Sequence, residues 1–204
     1  MPERAFFCAA AFVFIAVQAC GNKTGRSDGT DPVVHGAPAQ EEPVTPDRVA
    51  NAFPAQVAGA FYTASAEELR REVEGYIAGA TPPSLAGRDV AGILSPHAGY
   101  VYSGPVAGAA YRSVQGRAIA TVVVMALSHR REAARVSLLD RPAYDTPLGS
   151  LRIRTEVVQG LLSAREGVFA VDETVFRGEH SLEVQLPFIQ VALPEAQIVP
   201  IIVA

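Results

Sequence analysis

The chain has 204 residues, 49 % of them hydrophobic, and a formal net charge of -4. That length suits one domain with a sizeable core. Nucleic acid is excluded as a partner, because phosphate binding needs clustered cations and adjacent ones occur here only in pairs such as Arg130-Arg131. Both cysteines, Cys8 and Cys20, stand near the N-terminus. Everything after Cys20 therefore has no disulfide, Cys nucleophile or zinc–thiolate site, and a metal there must use His and carboxylate ligands.

Residues 5–17 form an unbroken apolar run behind a short polar start. A run of about a dozen residues suits a signal-peptide core and falls short of the ~20 needed to span a bilayer. It closes on Val17-Gln18-Ala19-Cys20-Gly21, which resembles the lipobox of bacterial lipoproteins. That resemblance implies a signal peptide over residues 1–19, acylation of Cys20, and a protein tethered to a membrane in the bacterial cell envelope, facing the periplasm or exterior. Residues 20–47 are rich in Gly, Pro, Ser, Thr and charges, and read as a flexible tether that buries too little apolar surface to fold. His35 falls in this linker.

The folded part is expected over residues 48–204. Residues 57–62 suggest a loop or short strand. Ser65 can cap a helix whose apolar face is Leu69, Val73, Tyr76 and Ile77, ending near Gly79 before Pro82-Pro83. A buried strand is expected over residues 90–94, then a helix over 105–114 made slim by Ala107, Ala109 and Ala110. Residues 119–127 read as a strand apolar on both faces, as parallel strands covered by helices are. A short strand over 136–139, a loop over 140–149, a brief extended piece over 151–153, a helix capped by Thr155 and running through Leu162, a helix over 184–191 and a last strand over 197–204 follow. Strands alternating with helices point to an α/β fold, a three-layer sandwich with a mainly parallel sheet. Ending on a buried strand suggests an incomplete domain, since the next helix would cover the sheet.

The chemistry gathers at element junctions. His97 and His129 each follow an apolar strand, so neighbouring strands would set both rings over one sheet edge, where open α/β sheets bind ligands. His180 and Glu183 stand three apart at a helix start and share a face. Imidazoles and a carboxylate around a cleft make a ligand set for non-haem iron, copper or zinc. Each residue also has a plainer reading: a hydrogen-bonded loop histidine, or a first-turn acid favoured by the helix dipole. No Gly-x-Ser-x-Gly elbow surrounds Ser95, Ser103 or Ser128, which counts against a serine hydrolase.

Pro96-His97-Ala98-Gly99-Tyr100-Val101-Tyr102-Ser103-Gly104, Leu127-Ser128-His129, Thr146-Pro147-Leu148-Gly149 and Glu179-His180-Ser181-Leu182-Glu183-Val184-Gln185-Leu186-Pro187-Phe188 resemble the Memo family, whose bacterial members are called AmmeMemoRadiSam system protein B. Val57-Ala58-Gly59-Ala60-Phe61-Tyr62 is similar to that family's N-terminal signature. The resemblance implies a fold related to LigB-type class III extradiol dioxygenases and a metal-dependent oxidoreductase using iron or copper. It makes His97 and His129 metal ligands. His180 would be an acid/base or ligand in the same pocket, and Glu183 a carboxylate that orients an imidazole. The substrate, small molecule or peptide, is not revealed by these motifs. The family's later Ser-Asp-x-x-His segment and further Cys or acidic ligand are not in these residues, so the match is expected to cover the first two-thirds of the family's domain. Arg130 and Gln185 stand where some members carry histidine. These departures leave open a second reading, a membrane-anchored binding lipoprotein without turnover or a truncated inactive product.

Overall fold

The computed structural model describes residues 47–81, 84, 89–133 and 135–203, and the backbone of residues 12–19. Cys20, His35 and the rest of the expected linker up to residue 46 lie outside the described residues, as do residues 1–11. A six-stranded sheet holds β1 (Phe12–Ala19), β2 (Gly92–Pro96), β3 (Ile119–Leu127), β4 (Val136–Leu138), β7 (Phe169–Val171) and β8 (Gln197–Val203), in the order β2-β1-β3-β8-β4-β7. A separate hairpin pairs β5 (Ala143–Thr146) with β6 (Gly149–Arg152).

The sheet, expected to be mainly parallel, is mixed. β3 and β8 pair in parallel, and β2 runs in the same direction because β1 lies antiparallel to both β2 and β3. β4 is antiparallel to β8 and parallel to β7. β1 falls within the segment read as a signal peptide, residues 1–19. A short apolar run suits a buried strand as well as a signal core, and periodicity does not separate the two.

The helices follow local chemistry closely. Ser65 accepts from Glu68 N at 3.4 Å and opens α1 (Ala66–Ala78), which buries Leu69, Val73 and Ile77. α2 (Tyr100–Arg112) starts five residues before the expected Pro105. Its first turn is secured by Tyr100 N donating to Phe61 O at 2.8 Å and Ser103 Oγ donating to Ala98 O at 2.8 Å. α1, α2 and α4 (Leu186–Ala192) pack on one another, and α3 (Thr155–Ala164) contacts β7 and β8. α1 and α2 approach closely because of Gly108, where an added Cβ would lie 2.3 Å from Tyr76 O. This α/β arrangement is compatible with a three-layer sandwich.

Three further local readings change. The loop expected over 140–149 contains most of the β5–β6 hairpin, whose turn uses Gly149 at φ 118°. Thr155 is the first residue of α3 and not its cap. The helix expected from 184 begins as a 3-10 turn over Glu183–Gln185 and becomes α-helical at Leu186.

Candidate metal centre

His97 follows β2 and is buried. Its loop is fixed from below: Gln185 Nε2 donates to Pro96 O at 3.0 Å, and Tyr111 Oη donates to Gln185 Oε1 at 3.0 Å. Gln185 is thus a support for this loop.

His129 follows β3. β1 separates β2 from β3, so the two histidine-bearing strands are two strand spacings apart, about 10 Å. The rings still converge, because each histidine lies beyond its strand end. Ring centroids of His97 and His129 are 5.1 Å apart, those of His97 and His180 5.6 Å, and those of His129 and His180 4.6 Å. One ring nitrogen of each residue lies within 4.8 Å of the other two. His97 is buried, His180 half-buried and His129 exposed, so the cluster opens to solvent on the His129 side.

Glu179 holds this cluster together. Its buried carboxylate accepts from His129 N at 2.6 Å, His180 N at 2.9 Å and Ser181 N at 2.9 Å, and lies 3.0 Å from His129 Nδ1. Burial pushes the Glu179 carboxyl up, but hydrogen bonds from His129 and Ser181 outweigh it and hold the group below its ordinary range. An ionised Glu179 accepts a proton-bearing His129 Nδ1, which leaves Nε2 with a free lone pair. Glu179 Oε1 is also 3.3 Å from His180 Nδ1, outside hydrogen-bonding geometry. Phe61 stacks on His180 with ring centroids 4.4 Å apart and planes 23° apart.

The orienting contact expected of Glu183 is made by Glu179 instead. Glu183 is fully buried and accepts from Gln56 N at 2.7 Å, Val57 N at 2.9 Å, Tyr62 Oη at 2.7 Å and Tyr144 Oη at 2.9 Å. Burial pushes its carboxyl above the ordinary range despite these four donors. It clamps the 56–62 loop and β5 to the 3-10 turn. The helical i, i+3 argument fails because His180 precedes the first helical residue, Glu183. In the sequence the signal for Glu179 is only an acid adjacent to a candidate ligand.

A metal ligand must be a neutral imidazole with an unused lone pair. Burial, with the neighbouring His129 and His180, depresses His97 to about 4, and burial also lowers His180. Nδ1 of both residues is buried with no hydrogen-bond partner. Unpartnered buried ring nitrogens in a cluster of three histidines fit a metal ion. A cavity of about 470 Å³, lined by residues 116–120 and 192–195, lies at the other end of β3 and contains no histidine.

Residues 54–204 match the family model described as Memo-like protein. The chain belongs to the Memo family. MEMO1 family proteins of Methanothermobacter thermautotrophicus and Sulfurisphaera tokodaii are 38 % and 35 % identical to it over 71 % and 72 % of the chain. One from Ignicoccus hospitalis is 39 % identical over 73 %. The matches cover 54–55 % of those proteins, so this Memo-family chain spans about half the length of the curated relatives it matches. No helix among the described residues is long and apolar enough to cross a membrane.

Proposed function

We propose that this Memo-family chain holds a redox metal, iron or copper, through His97, His129 and His180, and acts as a metal-dependent oxidoreductase. The observation that carries the reading is the convergence of three ring nitrogens within 4.8 Å, two of the residues having a buried and unpartnered Nδ1. Three imidazoles leave coordination positions open, and a bound iron or copper supplies redox chemistry toward dioxygen or a substrate there. The chain's own residues would prepare the site. Glu179 presents His129 Nε2 through a carboxylate–histidine pair, Phe61 restrains the His180 ring, and burial keeps His97 neutral. Metal content tests this. One equivalent per wild-type chain and a marked loss in His97→Ala with His129→Ala is expected; equal metal in both would end the assignment.

We also propose a lipid anchor at Cys20. Its support is the apolar run closing on Val17-Gln18-Ala19-Cys20-Gly21. The fold adds a condition, since residues 12–19 cannot both pair as β1 and be removed by a signal peptidase in one molecule. Labelled fatty acid should enter the wild type and not Cys20→Ala; equal labelling would count against the anchor.

A further inference from the structure

The loop that carries His129 is pinned on both sides of that residue. Ser128 N donates to Val203 O at 2.9 Å, and Ser128 Oγ accepts from Arg131 N at 3.1 Å while donating to Arg131 O at 2.5 Å. Inside this tight turn Glu179 holds His129 N. Arg130 is thereby placed between His129 and the corner that leads to His180. Its stem lies against Gly178: a Cβ at that glycine would stand 3.7 Å from Arg130 Cδ and 3.9 Å from Nε. Gly178, at φ 71°, runs directly into Glu179 and His180. The Arg130 charge reaches His180, where it opposes protonation of the ring.

Arg130 is exposed, and among the described residues its guanidinium pairs with no carboxylate, unlike those of Arg48, Arg141, Arg154 and Arg177. Exposed arginines are ordinary. This one stands beside a candidate metal centre, where a second cation is unfavourable unless an anion joins it. Glu179 supplies the carboxylate that touches the cluster, and its charge does not balance a divalent ion and Arg130 together. A loaded site would therefore draw anions to its mouth. The donors at hand decide which kind. The backbone N–H groups of His129, His180 and Ser181 are taken by Glu179, and that of Gly178 donates to Gln56 Oε1 at 3.1 Å. These four are not available to form a phosphate-binding nest. A single planar guanidinium instead matches a carboxylate through two parallel hydrogen bonds.

We infer that Arg130 selects the substrate of this site, binding the carboxylate of a small hydroxy or oxo carboxylic acid and leaving its hydroxyl or carbonyl oxygen for the metal. The substrate's second contact rests on the metal site proposed above. The contact with Arg130 does not, because a guanidinium binds a carboxylate with or without an ion beside it.

The test titrates the copper(II)-loaded full chain with 3-hydroxybutyrate, its methyl ester and inorganic phosphate. Broadening of the probe's proton signals by the metal reports binding close to the ion, and phosphate is measured by competition. Arg130→Gln should weaken 3-hydroxybutyrate about 10-fold or more, as loss of a charged hydrogen-bonding partner does. Arg130→Lys, which keeps the charge and loses the fork, should fall between the two. Arg131→Gln, at the exposed neighbouring arginine, should bind as the wild type does. The methyl ester should not distinguish wild type from Arg130→Gln, and phosphate should compete poorly. Metal content of the same samples reports on the metal reading alone. A wild type without metal would refute that reading, and saturation-transfer NMR on the metal-free chain would then decide for Arg130, with the same ratio expected. No binding of the acid, equal affinity in wild type and Arg130→Gln, or phosphate bound more tightly than the acid would overturn the proposal.

Discussion

Glu179 engages His129 twice, accepting from its backbone N at 2.6 Å while lying 3.0 Å from ring Nδ1. One carboxylate thus fixes both the position of the residue and the tautomer of its ring. Partners of this kind tune affinity by about 10–100-fold in metal sites. Glu179→Gln should lower metal affinity by that order in a chelator competition while the protein still folds. Glu179→Ala should in addition lose about 2 kcal/mol or more in denaturant unfolding, since it strips the acceptor from buried backbone donors. An unchanged affinity in both would show that His129 is not a ligand.

Glu183 predicts the opposite division between stability and binding. Four donors converge on its buried oxygens. Glu183→Ala should therefore cost about 3 kcal/mol or more, as groups left unpaired in an interior do. Metal bound per folded chain should stay near the wild-type level. A folded Glu183→Ala protein that has lost its metal would return this residue to the site.

The buried His97 gives the metal-free protein a defined pH response. Its ring titrates near 4 in the folded chain, against an ordinary value near 6.5. Between those values the unfolded chain binds the extra proton and the folded chain does not, so stability rises with pH across the window. As pH falls from about 6.5 toward 4, this contribution is lost. The lowered His180 acts in the same direction. Chemical denaturation at several pH values should show a shallower slope for His97→Gln than for the wild type. Identical slopes would mean that His97 is not held neutral by burial.

Packing of α1 on α2 makes a matched pair of glycine predictions. At Gly108 a new methyl would strike Tyr76 O at 2.3 Å, a backbone atom that cannot step aside. Gly108→Ala should destabilise by about 1–3 kcal/mol. Gly75, inside α1, has nothing within 4 Å of an added Cβ. Gly75→Ala should stabilise by about 0.5–1 kcal/mol through helix propensity. Thermal melting of the two variants checks both signs.

Much of this was legible in residue patterns. β3 was readable because a nine-residue run with Thr121 as its one polar member leaves little alternative to a buried strand, and α1 because Ser65, its apolar spacing and Gly79 agree. His97 and His129 stood out because each follows such a strand. Other features depended on contacts between distant segments. The β5–β6 hairpin hides in a Pro-rich stretch, and α2 begins before its proline because Phe61 and Ser103 secure the first turn. Glu179 and Glu183 exchange their expected importance for one reason: the chain enters α4 through a 3-10 turn, which no periodicity announces.

The central claim is that His97, His129 and His180 together form one metal site. X-ray absorption on the iron- or copper-loaded full chain tests it most directly, because imidazole scattering reports how many histidines bind. Three imidazoles per metal in the wild type, falling to two in His180→Ala, is the predicted result. A wild-type site with two or fewer, or a count unchanged by His180→Ala, would contradict it.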